Sequence, residues 1–119
     1  LPGYGYARMS DDAQEKIRKH IVWYLTSGEA KPVLLVLILD ARVGMTDHDR
    51  ELLTLAREHG HPLLILANKI DKLGGNDRPK AMAKLVEENP DADIIQFSAL
   101  RRENVDMVRK FLFGKLGIK

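Results

Sequence analysis

The chain has 119 residues, of which 45% are apolar and 30% are charged, and its formal net charge is +2. This composition is typical of one soluble globular domain with a core of its own, and the charge is too small to indicate nucleic-acid binding by itself. The absence of cysteine excludes disulfides and thiolate metal sites and agrees with an expected cytoplasmic location. No apolar run approaches the ~20 residues of a membrane span, so we expect no membrane partner.

The N-terminal part of the chain predicts a loop followed by a long helix. Residues 1–7 contain two glycines and a proline, which are typical of a loop. Ser10 can cap a helix over about residues 10–27, in which apolar side chains recur at helical spacing. We expect Trp23 and Tyr24 to lie in the core or at an interface rather than against a ligand.

Three apolar runs predict the strands of a parallel sheet. They are residues 33–39, 63–67 and the shorter run 94–97. The first two are apolar throughout, which is typical of strands that are buried on both faces. Predicted helices separate and follow the strands, beginning at Thr46, after a cap at Asp77, and at Val105. This alternation predicts an α/β domain of three parallel strands and about four helices.

Three histidines lie around the second predicted helix. His48, His59 and His61 lack a convincing ligand spacing, and no cysteine assists them. We therefore interpret them as solvated or helix-capping residues rather than as a metal site.

The most informative stretch follows the second predicted strand. Asn68, Lys69 and Asp71 form the pattern Asn-Lys-x-Asp directly after the apolar run 63–67. In open α/β sheets, ligands bind at the carboxyl ends of the strands, where these residues fall. An ordinary solvated turn is the alternative interpretation, but the preceding strand favours a binding motif.

The chemistry of this pattern suits guanine. Guanine presents a ring N–H and an exocyclic amino group side by side, and one carboxylate such as that of Asp71 can accept from both. Adenine has an acceptor in place of the ring N–H, so the same site would discriminate against it. Lys69 can lay its methylene stem along the base while its ammonium stays in water, and Asn68 can tie the loop together.

The order of the motifs resembles the C-terminal two-thirds of a Ras-like small GTPase, and within that class the EngB type of bacterial GTPases. Four stretches carry this resemblance: Leu1-Pro2-Gly3-Tyr4-Gly5-Tyr6-Ala7, Asp40-Ala41-Arg42 with Thr46, Asp47 and Asp49, Asn68-Lys69-Ile70-Asp71, and Ser98-Ala99-Leu100. The first matches the magnesium and switch motif of the family without its leading aspartate. EngB-type proteins usually begin the base motif with threonine, and this chain departs from them at Asn68.

The resemblance implies a partial P-loop GTPase fold, a three-layer α/β/α remnant, over residues 1–119. It implies GTP or GDP as ligand and, in the complete protein, Mg²⁺. It also implies a role in assembly of the large ribosomal subunit and in cell division. The nucleotide-binding residues it implies are Asn68, Lys69, Asp71, Ser98, Ala99 and Gly3, and the backbone N–H of Ala99 is expected to meet the guanine carbonyl.

Other family motifs are absent from the sequence. It contains no Gly-x-x-x-x-Gly-Lys-Ser/Thr to hold the β- and γ-phosphates. Tyr4 stands where Ras-type enzymes carry the glutamine that orients the attacking water. We therefore expect a truncated GTP-binding domain without catalytic residues, which does not hydrolyse GTP by itself.

One alternative to a GTPase domain remains open, and a second has little support. The chain could be a non-catalytic interaction module that binds no nucleotide and forms a homodimer through an exposed strand 33–39, since such an apolar edge has no evident protection. A flavodoxin-like receiver domain would need an acidic cluster on an N-terminal strand, which is not found in this sequence.

Overall fold

Helices and strands alternate along the chain, as the apolar pattern predicts. The structure, a computed structural model, describes residues 10–28 and 34–117. In this part of the chain the elements are α1 (Asp11–Thr26), β1 (Leu35–Asp40), α2 (Asp47–Glu58), β2 (Leu63–Asn68), α3 (Asp77–Glu88), β3 (Asp93–Gln96) and α4 (Val105–Leu116), with a 3-10 turn at Ile70–Lys72. The predicted α/β class, with three strands and four helices, is confirmed.

The three strands form one parallel sheet in the order β1-β2-β3. In its register, Asp40 at the end of β1 lies beside Asn68 at the end of β2, and Ala67 lies beside Gln96 of β3. The carboxyl ends of all three strands therefore meet at one edge, where the loops that follow them come together.

Alternating side chains of the sheet form two separate cores. Leu37, Leu39 and Ile65 point to one face, where they join Leu53 of α2 and Leu85 of α3. The neighbouring residues of β2 and β3 point to the other face and pack against α4; they are Leu64, Leu66 and Ile95, with Val108, Phe111 and Leu112 of the helix. Helices therefore pack on both faces of the sheet, α2 and α3 on one and α4 on the other. This confirms the three-layer arrangement predicted for the domain.

Two of the predicted helix caps are confirmed and a third is wrong. The Ser10 side chain accepts from the Ala13 N–H, at 3.3 Å, and Thr46 and Asp49 form a reciprocal capping box at the start of α2. Asp77 is the first helical residue of α3 and not its cap, which is Asn76. The Asp77 N–H donates to the Gly74 carbonyl at 3.0 Å, so a backbone turn closes this end of the helix.

The strand predicted at 33–39 differs from β1 in extent and in burial. β1 ends at Asp40, and residue 33 lies outside the described residues. Ile38 is 49% exposed, so the prediction that this strand is buried on both faces is wrong. By strand alternation Ile38 points to the same face as Val36, but unlike Val36 it is not part of the apolar cluster that includes residues of α4.

The predicted bounds of the third strand also need correction, and the prediction for Trp23 and Tyr24 is narrowed. The third strand is Asp93–Gln96 rather than 94–97, although the Phe97 N–H still donates to the Ala67 carbonyl at 2.9 Å. Trp23 is 53% exposed, so a place in the core is excluded and a place at an interface stays a prediction, whereas Tyr24 is partly buried.

Polar contacts join helix α1 to α2 and to the loop that follows α2. Arg18 donates to the carboxylate of Glu51, and the His61 Nε2 lies 3.0 Å from the Leu25 carbonyl oxygen. The His59 Nδ1 lies 3.0 Å from the Leu55 carbonyl oxygen at the end of α2, which agrees with a capping role. Among the described helices none has the length and apolar character needed to cross a membrane.

Candidate functional site

A cavity of about 460 Å³ opens at the carboxyl edge of the sheet. Its walls come from the loops that follow the three strands, and the lining residues are Arg42, Asn68, Lys69, Asp71, Lys72, Ser98, Ala99 and Leu100. The structure thus brings together every predicted nucleotide-binding residue except Gly3, which lies outside the described residues.

Asn68, the last residue of β2, bonds to the loops that follow the two neighbouring strands, β1 and β3. Its carbonyl accepts from the Ala41 N–H, at 2.8 Å, which extends the pairing with β1. Its side-chain Oδ1 accepts from the Ala99 N–H, at 3.2 Å, which ties the loop after β3 to the base motif. The resemblance assigns this same Ala99 N–H to the guanine carbonyl. Because the bond is at the long end of the normal range and Ala99 is exposed, a bound base could share or replace it.

Lys69 adopts a backbone conformation that is rare for its residue type. Its φ and ψ are 62° and 31°, in the left-handed region, which costs about 1–2 kcal/mol for a residue with a Cβ atom. The next N–H, that of Ile70, donates to the Phe97 carbonyl at 3.2 Å. Ile70 is fully buried, and Asn68 is fixed by its own bonds to Ala41 and Ala99. The left-handed backbone at Lys69 is therefore held by the residues on both sides of it.

Asp71 is the central acceptor of the cavity. The Ser98 hydroxyl donates to its Oδ1 at 2.7 Å, and the hydroxyl oxygen itself accepts from the Arg101 N–H at 3.0 Å. The hydrogen bond from Ser98 lowers the pKa of Asp71 and outweighs the opposing effect of burial. The Asp71 carboxylate is therefore ionised at neutral pH, fixed in orientation, and able to accept from further donors.

A network of polar bonds supports the loop that carries Ser98. The backbones of Ser98 and Glu103 exchange two N–H to carbonyl bonds of 3.0 Å each. The Arg78 guanidinium pairs with the Glu103 carboxylate, with Nη1 to Oε2 at 2.9 Å, and its Nε donates to the Leu73 carbonyl at 3.3 Å. Arg78 therefore links the chain that follows Asp71 to the loop that follows β3.

The sequence did not identify Asp40 and Arg42 as site residues. The Arg42 side chain donates to both oxygens of the Asp40 carboxylate, at 3.2 and 2.9 Å, and the Lys69 Nζ lies 3.5 Å from the Asp40 Oδ2. The hydrogen bonds from Arg42 lower the pKa of Asp40 to about 2. Their position at the end of the strand beside β2 could have indicated a place in the site. Lys72 was also missed, because nothing in its local sequence distinguishes it from a solvated loop residue. Leu100 was not assigned a role, although it belongs to the stretch Ser98-Ala99-Leu100 that carries the resemblance.

Comparisons with known proteins place this arrangement in a family. A family model described as the elongation factor Tu GTP binding domain matches residues 25–116. The probable GTP-binding protein EngB of Mycoplasmopsis pulmonis is 35% identical over 112 residues, which cover 94% of this chain and 60% of the relative. The corresponding protein of Enterobacter sp. is 36% identical over 117 residues, which cover 94% of this chain and 55% of the relative.

One solved structure supports the same fold. A crystal structure of a probable GTP-binding protein EngB superposes with a TM-score of 0.75 at 22% identity and covers 97% of this chain and 74% of its own. The chain spans little more than half the length of the two relatives above, at 60% and 55%. It belongs to the family of the elongation factor Tu GTP-binding domain, and its sequence is similar to those of EngB-type GTP-binding proteins.

Proposed function

We propose that this chain supplies the guanine-recognition part of the nucleotide site of a GTP-binding protein. The observation that carries the proposal is the Asp71 carboxylate, which is only 10% exposed and is held by Ser98 at the wall of the cavity. An ionised, oriented carboxylate accepts from the adjacent N–H and amino groups of guanine in one planar pair. Facing adenine, it would meet a ring acceptor and remain unpaired, which a buried carboxylate tolerates poorly.

Base selectivity tests this proposal directly. We expect guanosine, and not adenosine, to shift the backbone NMR resonances of Asn68, Asp71 and Ala99 in the 119-residue chain. Affinity will be weak, because contacts to the base alone must offset the cost of immobilising the ligand.

The Asp71→Asn variant sharpens the test. It should exchange the preference for guanosine with one for xanthosine, whose additional carbonyl can pair with the new amide. Asp91→Asn is the matched control, since Asp91 also accepts a side-chain hydrogen bond that lowers its pKa, in its case from Arg57, but lies outside the cavity lining. Unchanged guanosine preference in Asp71→Asn would refute the assignment.

The complete protein has a wider proposed role, which rests on the EngB resemblance. We propose that it binds GTP or GDP with Mg²⁺ in the cytoplasm and acts in large-subunit assembly of the ribosome, with consequences for cell division. The exposed basic residues that would contact RNA phosphates are Arg101, Arg102, Lys110 and Lys115. Salt-sensitive cosedimentation of the complete protein with large-subunit precursors would support this role. Loss of cosedimentation when the charges at these four sites are reversed would support their contact with RNA phosphates.

GTP hydrolysis is not expected of the 119-residue chain alone. The sequence contains no Gly-x-x-x-x-Gly-Lys-Ser/Thr, whose backbone and lysine stabilise the charge that develops during phosphoryl transfer. Multiple-turnover phosphate release above a no-protein control, from a sample of verified mass, would contradict this expectation.

A homodimer is the second candidate function, and the position of β1 favours it. Within residues 34–117, β1 pairs only with β2, so its other edge has no strand partner in the described part of the chain. With Ile38 49% exposed on this strand, pairing with the same edge of a second copy would bury apolar area and unpaired backbone groups. Light scattering during size-exclusion chromatography measures the mass of the particle in solution. A monomer mass at high micromolar concentration would exclude the homodimer.

A further inference from the structure

The carboxylate at the end of β1 lies between two cations of the cavity wall. Arg42 approaches both Asp40 oxygens, with its Nε 3.2 Å from Oδ1 and its Nη2 2.9 Å from Oδ2. The Lys69 Nζ approaches the same Oδ2 at 3.5 Å. Lys69 belongs to the base motif after β2, so Asp40 connects the ends of two neighbouring strands.

Arg42 holds this carboxylate in one orientation. Besides the two side-chain contacts, the Arg42 backbone N–H donates to Asp40 Oδ1 at 2.9 Å. A two-pronged arginine–carboxylate pair is stronger and more directional than a single contact. The same bonds keep the pKa of Asp40 near 2, so the group stays charged at neutral pH. The Oδ2 is thus a fixed negative point beside the cavity.

The side chain of Lys69 is tethered at both of its ends. Its backbone is held in the left-handed conformation by the surrounding turn, and its ammonium lies against Asp40. The side chain is 51% exposed, and an exposed lysine without a tether would sample many rotamers. Ordering it in advance removes a cost that a ligand would otherwise meet on binding.

We propose that Asp40, oriented by Arg42, is a positioning residue that holds the ammonium of Lys69 and so keeps its methylene stem across the base cavity before the nucleotide arrives. This inference rests on the proposed recognition of guanine by the chain. In it, Asp40 never touches the base and acts through Lys69 alone.

A double-mutant cycle tests this indirect action, with guanosine as the probe and NMR titration of the chain as the measurement. We expect Asp40→Asn to weaken guanosine binding about fivefold, as pairs in contact commonly do. Lys69→Met keeps an apolar stem and removes the ammonium. In the Lys69→Met background, Asp40→Asn should change the affinity by less than about twofold, because the tether is already lost.

Further variants separate positioning from a general structural role. Arg42→Gln should weaken guanosine binding in the same direction as Asp40→Asn, and its effect should likewise disappear in the Lys69→Met background. Arg50→Gln is the matched control: Arg50 is also 47% exposed and bonded to acidic side chains, but it does not line the cavity. If Asp40→Asn does not fold, Arg42→Gln carries the same cycle.

The outcomes distinguish this inference from the proposed function. If the wild-type chain does not bind guanosine, the proposed function fails and this inference fails with it. If the wild type binds guanosine and the Asp40→Asn variant binds it equally well, the inference alone is overturned. It is also overturned if Asp40→Asn reduces the affinity as much in the Lys69→Met background as in the wild type.

Discussion

The interior of the sheet and its carboxyl edge are stabilised by different interactions. In the interior, Leu64, Ile65 and Ala67 of β2 are completely buried between two layers of apolar side chains. At the carboxyl edge, most side chains that line the cavity are polar, and all of these polar side chains except Ser98 are at least partly exposed. Asp40 and Asp71 are held there by directed bonds from Arg42 and Ser98.

This difference separates stability from binding geometry. Burial of apolar area is not directional, so it contributes to the free energy of folding without specifying any single side-chain orientation. Charge-assisted bonds at a partly exposed edge add little net stability, but they are directional and so fix the orientation of the side chains. We therefore expect substitutions in the interior to alter unfolding and substitutions at the edge to alter ligand binding.

The largest expected effect is on stability and comes from the interior. Ile65→Ala should lower the free energy of unfolding by about 2–5 kcal/mol, because Ile65 has no exposed surface and its truncation leaves a cavity. Ile38→Ala is the matched control in the same sheet. With Ile38 49% exposed, its loss should be about 1 kcal/mol or less. Urea denaturation of both variants measures this, and equal losses would contradict the burial assigned to the two residues.

A smaller effect, on binding rather than on stability, is expected at the edge. Arg78→Ala should weaken guanosine binding several-fold, since Arg78 joins Glu103 to the Leu73 carbonyl and so links the two loops that carry Asp71 and Ser98. Its stability loss should be about 1 kcal/mol.

Arg57 provides the control for this prediction. Its side chain is 31% exposed, against 33% for Arg78, and it pairs with Asp91 away from the cavity lining. Arg57→Ala should therefore lose similar stability with no change in guanosine affinity. A loss of affinity in both variants, measured by NMR titration, would show that general loosening and not the loop contact is responsible.

The smallest expected effect is the pH dependence contributed by Asp40. Arg42 lowers the pKa of Asp40 from 3.8 to about 2 in the folded chain. A carboxyl whose folded pKa is depressed stabilises the fold above its unfolded pKa, and this contribution is lost as the pH falls through the window from 3.8 to about 2. Urea denaturation across that window should show a shallower loss of stability in Asp40→Asn than in the wild type. Arg42→Gln should show the same change, and wild-type slopes in both variants would contradict it.

Much of the fold follows from local pattern. Alternating apolar runs and helical spacing predicted the order of the elements, and the Ser10 and Thr46 caps are confirmed because capping depends on residues only a few positions apart. The sequence predicted Asp77 as the cap of α3, one residue after the observed cap, Asn76. A backbone bond to the Gly74 carbonyl, which no side-chain pattern reveals, closes the turn there.

The candidate site divides in the same way. Asn68, Lys69 and Asp71 were predicted because their spacing and their place after an apolar strand are visible in the sequence. Gly3 stays a prediction that rests on the resemblance, as it lies outside the described residues. Asp40 and Arg42 were not assigned to the site because their role depends on a partner on the neighbouring strand.

The sequence by itself thus determined the α/β alternation, most helix starts and the chemistry of the base motif, all of which depend on residues close together along the chain. Only the tertiary structure decided that Asp40 meets Lys69, that Arg78 meets Glu103, and that Ile38 is exposed while Ile65 is buried. These contacts depend on strand register and on which layer covers each face. Both are settled when distant segments pack together, since a side chain of one type has the same local preferences whether or not a helix lies over it.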